Sequence, residues 1–217
     1  MKHAISPLYL EALPRDAHAV LEQLSRLTTK GVLGGGTAIA LQLGHRRSFD
    51  LDIFVSTSLR KSLLTQVKDI FGSATPIVDT PDELSCVVGH TKLSVIFYPF
   101  KALHGLVRTS YIPLFHLHDL ASSKAYAIGR RGVWRDYVDI FILLQHGLTL
   151  SSIIKEATRR FADSFNAKLF LEELSYFEDI HDLSVEWLSK KYSEDEIKQA
   201  LARYVSLYMD TVSNASS

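Results

Sequence analysis

Leu33-Gly34-Gly35-Gly36-Thr37-Ala38-Ile39-Ala40-Leu41-Gln42-Leu43-Gly44-His45-Arg46-Arg47-Ser48-Phe49-Asp50-Leu51-Asp52-Ile53-Phe54-Val55 is the stretch that decides how this chain folds. In its second half Leu51, Ile53 and Val55 alternate with Asp50, Asp52 and Phe54, and a period of two marks a strand with one buried face. Two residues apart on a strand, the aspartates share a face with Cα atoms about 7 Å apart. Carboxylates so placed can share one or two divalent cations, Mg2+ or Mn2+. Such a pair of ions activates an attacking oxygen and stabilises a leaving phosphate in an in-line displacement.

An Asp-x-Asp strand also occurs on many solvated faces, and the glycines upstream are what set this one apart. Gly34-Gly35-Gly36 is unsuited to a helix interior and lets another group approach the main chain closely. Thr37 to Leu43 favours a short helix, stopped at Gly44. The N–H groups and positive dipole end at the start of that helix form an anion site. Gly35, Gly36 and Thr37 thus read as a phosphate cradle, Asp50 and Asp52 as metal ligands, and Arg47 and Ser48 as flanking the phosphate edge.

Outward from this unit, Ala17, Val20, Leu21, Leu24 and Leu27 have the spacing of a helix opened by Asp16 and ended at Lys30-Gly31, after which Val32-Leu33 is extended. Ser58 to Phe71 reads as an amphipathic helix. Extended runs follow at Thr75 to Val78, Leu84 to Val88 and Lys92 to Phe97, the last two joined by a Gly89-His90 hairpin. Pro99 and Pro113 bracket an irregular connection. From Asp119 the pattern is helical to the end, with turns at Arg131-Gly132, His146-Gly147 and Ser164, and with Ser193 and Glu196 as a capping box. The fold class is therefore α+β: a core of a small mixed sheet flanked by helices over residues 1–115, then a helical half over residues 116–217 that packs on it.

In the helical half, Lys124 lies in the otherwise apolar stripe of Leu120, Ala121, Ala127 and Ile128. A lysine there either reaches the edge or aims its ammonium at an anion. Asp136 and Asp139 share a face beside Ile140 and Leu143. Carboxylates on a buried side need a partner, which Lys124 or Arg135 could supply, and a purely structural ion pair is the competing reading.

Composition narrows the function classes. With 47% hydrophobic and 22% charged residues the chain is an ordinary globular one, and no apolar run is long enough for a membrane helix. Met1-Lys2-His3-Ala4 lacks a signal-peptide pattern, and the single cysteine, Cys86, in an apolar run, points to no oxidising compartment. The chain reads as cytoplasmic. Because 24 Lys and Arg balance 24 Asp and Glu, a polynucleotide would have to be held by local patches. His45-Arg46-Arg47, Arg130-Arg131 with Arg135, Arg159-Arg160 and Lys190-Lys191 are the candidates.

The run from Leu33 to Phe54 resembles motif I of the DNA-polymerase-β-type nucleotidyltransferases: a glycine pair, a short helix and an Asp-hydrophobic-Asp strand. More narrowly it is similar to the AbiEii/AbiGii toxin family, including the MenT-type toxins. Lys92-Leu93-Ser94-Val95-Ile96-Phe97-Tyr98-Pro99-Phe100 looks like that family's later strand. His118 to Ile128, with Gly129-Arg130-Arg131-Gly132 and Arg135-Asp136-Tyr137-Val138-Asp139-Ile140, looks like its helical lysine and Asp-x-x-Asp motifs. The resemblance implies a polymerase-β-type core and transfer of a nucleoside monophosphate from an NTP to an acceptor hydroxyl. The acceptor would be an RNA such as tRNA, in a toxin–antitoxin or abortive-infection setting with a separate antitoxin protein. It implies that Lys124 contacts the triphosphate and that Asp136, Asp139 or both hold the site. One departure concerns Ser94, which stands where many such enzymes have a third carboxylate. No Asp or Glu occurs from Thr91 to Phe97. Either a second metal is held weakly, or the acid comes from elsewhere, with Asp136 and Asp139 as candidates. A small-molecule, antibiotic-type nucleotidyltransferase and a non-catalytic nucleotide-binding module are the alternatives.

Overall fold

The computed structural model describes residues 6–27 and 29–215; the leader reading of Met1 to Ala4 lies outside them. The chain divides into two compact units, Met1–His116 and Leu117–Ser217. Among the described residues no helix is long and apolar enough to cross a membrane.

The first unit is built on a five-stranded mixed sheet. Its strands are β1 (Val32–Leu33), β2 (Asp50–Val55), β3 (Thr75–Asp79), β4 (Glu83–Val88) and β5 (Thr91–Phe97), in spatial order β1-β2-β5-β4-β3. β2 is parallel to β5 and antiparallel to β1, and β3, β4 and β5 form antiparallel pairs. The alternation read in the sequence holds: Leu51, Ile53 and Val55 are buried, while Asp50, Asp52 and Phe54 are half-buried on the other face. Each such buried aliphatic contributes about 1.5–3 kcal/mol, and a slip of one residue would put the carboxylates into the core instead. Cys86 is buried on β4, and burial pushes its thiol pKa up, as suits an inert core residue.

Three helices belong to this unit: α1 (Arg15–Gln23), α2 (Gly35–Leu43) and α3 (Leu63–Phe71). α1 gives way to a 3-10 turn at Leu24–Arg26, before the expected stop at Lys30-Gly31. The five apolar residues of its predicted face are all buried. α3 starts at Leu63 rather than at Ser58, and the Leu59 N–H, bonded to Pro81 O at 2.7 Å, is engaged outside the helix. α2 starts earlier, with Gly35 and Gly36 in its first turn and Gly34 at its N-cap, and ends at Gly44 as read.

The second unit comprises α4 (Leu117–Ile128), α5 (Trp134–Gln145), α6 (Leu150–Phe161), α7 (Ala167–Glu173) and α8 (Glu194–Ala215). α5 is buried along ten of its residues and forms the centre of this unit. Ser193 and Glu196 exchange the two bonds of the expected capping box at the start of α8, at 2.7 and 3.2 Å. Two expectations are corrected here. The chain is not helical throughout: residues 176–193 form an irregular segment, in which the Asp182 carboxylate accepts from the Ser184 N–H at 3.0 Å and its hydroxyl at 2.6 Å. That local bond competes with a helical turn. Arg160 is not a surface cation either. It is buried, and its guanidinium donates to Asp119 O at 2.6 Å and to the Ser122 and Ser123 hydroxyls at 3.0 Å, tying α6 to α4.

A Cβ on Gly34 would overlap the Phe54 ring and stand 3.1 Å from the Phe115 ring. Gly34→Ala is therefore expected to destabilise by about 1–3 kcal/mol, read as a lower urea midpoint at unchanged slope. A midpoint equal to that of the parent chain would contradict this tight fit.

Candidate active site

Strand β2 and the start of helix α2 are held together from several sides. The Gly34 N–H donates to Asp52 O at 2.9 Å. The Thr37 hydroxyl bonds the Ser48 hydroxyl at 2.7 Å and donates to Asp50 O. Both hydroxyls are almost fully enclosed, Thr37 at 2% and Ser48 at 6% exposure. Their side chains fasten α2 to the strand, so what Thr37 can offer a phosphate is its backbone N–H. That group shares the first helical turn with the N–H groups of Gly35 and Gly36, donors with no acceptor inside a helix.

Gly35 has φ +64°, and a Cβ there would stand 2.5 Å from Asp52 Oδ2. A side chain would meet both a strained left-handed backbone and a carboxylate. The bare Cα thus lets the Asp52 carboxylate lie against the bend that opens α2, with Asp50 two residues back on the same strand face. The donor set is oxygen only, from two carboxylates of one face, and it fits a hard divalent cation. The absence of a Cβ on Gly35 leaves room for the Asp52 carboxylate at that bend.

The parallel register sets β5 beside this pair: Lys92 is the partner of Asp50, and Ser94 is the partner of Asp52. Partners in register lie roughly 4.8 Å apart with side chains on one face. Lys92 is exposed and adds a cation next to Asp50. Ser94 is buried and bonded to Ser85 of β4 at 3.0 Å, and Ser85 in turn donates to Glu83 Oε1 at 2.6 Å. Glu83 and Ser85 escaped the sequence reading. The signal was available, because a two-residue hairpin at Gly89-His90 puts Val88 opposite Thr91, and counting back puts Ser85 opposite Ser94.

Of the expected basic residues near the glycine helix, Arg47 is exposed. Arg46 is buried, with its guanidinium donating to Arg47 O at 2.9 Å, and does not form part of a basic patch.

In the helical unit the three remaining site residues come together. Lys124 Nζ lies 2.5 Å from Asp136 Oδ1 and 2.7 Å from Asp139 Oδ2. The second oxygen of Asp136 accepts from Arg131 Nε at 3.0 Å. The partner beside Lys124 is thus Arg131 rather than Arg135, which is exposed. Asp139 is fully enclosed, and Lys124 and Asp136 are nearly so. Two carboxylates against an ammonium and a guanidinium give a group of zero net charge, the condition under which buried ions are tolerated. Trp134 is buried, and Trp187 lines a cavity of about 440 Å³ with Trp134, Tyr192 and Lys191.

The fold is one that solved nucleotidyltransferases share. The chain is similar to the nucleotidyltransferase toxin MenT4 of Mycobacterium tuberculosis H37Rv at a TM-score of 0.62 and 15% identity, over 88% of this chain and 80% of that one. It is similar to JHP933 of Helicobacter pylori at a TM-score of 0.55 and 17% identity, over 98% and 97% of the two chains. In sequence it is 25% identical to an uncharacterized protein of Aquifex aeolicus (strain VF5), over 87% of this chain and 95% of the other. A family model described as nucleotidyl transferase AbiEii toxin, type IV TA system, matches residues 98–214, and the chain belongs to that family of nucleotidyltransferases. The matched span takes in Lys124, Asp136 and Asp139 and leaves out the segment from Gly34 to Asp52.

Removing Lys124 would strand two buried carboxylates. Lys124→Met is expected to destabilise by about 3–5 kcal/mol, whereas Asp50→Asn, on the half-buried strand face, is expected to stay within about 0.5 kcal/mol. Urea unfolding of both variants checks this, and equal losses would contradict the division.

Proposed function

We propose that this nucleotidyltransferase is metal-dependent and moves a nucleoside monophosphate from an NTP to the hydroxyl of an RNA acceptor such as tRNA, releasing pyrophosphate. The observation that carries the reading is the Asp52 carboxylate lodged at the Gly35 bend, on one strand face with Asp50. Asp50 and Asp52 hold Mg2+ or Mn2+. The first-turn N–H groups of Gly35, Gly36 and Thr37 bind the β- and γ-phosphates through hydrogen bonds and the helix dipole, with Arg47 and Ser48 flanking them. Held by Asp50 and Asp52, a divalent cation would supply Lewis-acid stabilisation of charge on the phosphoryl oxygens. The missing side chains keep the cradle shallow, so the triphosphate meets main-chain donors that the first turn of α2 already holds in place.

Lys124, with Asp136 and Asp139, keeps the role that the family resemblance assigns: neutralising the triphosphate and completing the set of groups that the reaction needs. The carboxylates hold the ammonium in one geometry, and a preorganised cation stabilises developing charge without reorganising. An RNA acceptor is favoured by exposed arginines at positions 47, 130, 131 and 135, which would act as local phosphate contacts on a chain of zero net charge. In keeping with the family, the protein acts in the cytoplasm as a toxin opposed by a separately encoded antitoxin.

The test is incubation of the purified chain with each α-labelled NTP, Mg2+ and total tRNA. Labelled tRNA is expected with at least one NTP. Asp50→Ala and Asp52→Ala should each lower the rate by about 10³-fold or more, since such an ion supplies several kcal/mol and each 1.36 kcal/mol is tenfold. Transfer that survives both substitutions would rule out the assignment.

A further inference from the structure

Between Trp187 and Tyr192 the chain carries the pair Lys190-Lys191, and the reaction read above uses none of these four residues. They border the cavity of about 440 Å³ in the helical unit, whose wall includes Trp134, Trp187, Lys191 and Tyr192. That volume lies in the range of small-ligand sites, about 300–1,000 Å³. Trp134 opens α5 and is 2% exposed, while Trp187 and Tyr192 are half-buried with ring centroids 5.7 Å apart. Among the described residues the Trp134 indole N–H has no hydrogen-bond partner. That group only donates, and a buried donor without an acceptor is costly.

The chemistry of this wall narrows its occupant. A cationic side chain brings donors alone, and ammonium groups already stand at the rings. Lys190 Nζ is 4.6 Å from the Tyr192 ring centroid and Lys198 Nζ 5.8 Å from that of Trp134. An aliphatic side chain brings no acceptor. A nucleobase brings a flat face for an aromatic ring and a ring nitrogen or carbonyl to accept from the indole. Its own N–H groups suit the carboxylates of Glu194 and Asp195, which also line the cavity. Phosphate charge separates the sources of such a base. Glu194, Asp195 and Glu196 occupy the first turn of α8 and oppose a triphosphate. One charge per nucleotide of a strand is within what the exposed Lys190 and Lys191 neutralise.

We infer that this cavity takes an unpaired base of single-stranded RNA, stacked against Trp187 and Tyr192, with Lys190 and Lys191 meeting the adjacent phosphates. This rests on the RNA acceptor proposed above and adds a place at which that RNA is held. On a chain of zero net charge, stacking supplies affinity that overall charge does not.

Fluorescence anisotropy of a dye-labelled, single-stranded oligoribonucleotide of mixed sequence, titrated with the purified chain, reads this binding without turnover. Trp187→Ala is expected to weaken it about 5- to 100-fold, the loss of one stacking platform. Trp187→Phe keeps a ring face and is expected to retain most of the affinity. Lys190→Ala with Lys191→Ala is expected to flatten the slope of log affinity against log salt by about 1.4, at about 0.7 per phosphate contact. Parent-like affinity in Trp187→Ala, or an equal loss in Trp187→Phe, overturns the inference. Equally tight binding of the same RNA annealed to its complement overturns it too, because a paired base is not free to enter. ATP or GTP that displaces the RNA from the parent chain and binds in a Trp187-dependent way assigns the cavity to a free nucleotide and also overturns it. If the parent chain labels tRNA but does not bind the oligoribonucleotide, this inference alone fails. If it does neither, the RNA reading fails with it.

Discussion

The carboxylate of Asp52 rests against the bare Cα of Gly35, where any side chain would both clash and force a strained backbone. Much of the first unit is arranged so that this contact holds. The strand that carries Asp52 is fixed in register by the burial of Leu51, Ile53 and Val55. Thr37 and Ser48 lock the helix to the same strand from behind, and Gly34 bonds it from the front. Main-chain donors suited to an anion and an acidic strand face suited to a cation are brought to one place by two glycines and a pair of hydroxyls.

Charge is handled in opposite ways in the two units. In the helical unit buried Lys124, Asp136 and Asp139 are neutralised together with the exposed Arg131 at their edge, a condition that stabilises only while every member remains. On the sheet face Asp50 and Asp52 are half-buried neighbours of like sign, with the exposed Lys92 beside Asp50, and like charges on one face oppose each other. A protein that needed only a stable fold would have little reason to keep the second arrangement. Its cost is understandable where a charged substrate and ion complete it.

Much of this was legible in the sequence. The strand from Asp50 to Val55 has an unambiguous period, and the hairpin at Gly89-His90 sets the register of the sheet that follows. The order of strand and helix patterns carries the α+β class, and the family motifs add the polymerase-β-type core. What stayed hidden has physical causes. Arg46 and Arg160 look like surface cations because arginine is seldom buried, and only the tertiary carbonyls and hydroxyls around them make burial tolerable. The late start of α3 goes with a bond from Leu59 to Pro81 far along the chain, and the irregular segment before α8 with one Asp182 carboxylate turning back on its own backbone. Thr37 and Ser48 read as phosphate contacts because their spacing does not reveal that each faces the other. Ser94 read as a missing acid, since its connection to Glu83 exists only once β4 and β5 are paired.

Crystals soaked with Mn2+ and a non-hydrolysable NTP, measured at the manganese absorption edge, give the most direct test of a cation between the two strand carboxylates. The result expected is an anomalous peak about 2.1 Å from oxygens of both Asp50 and Asp52, with the triphosphate against the first turn of α2. A well-bound nucleotide with no peak at these carboxylates, or with manganese held elsewhere in the chain, would contradict it.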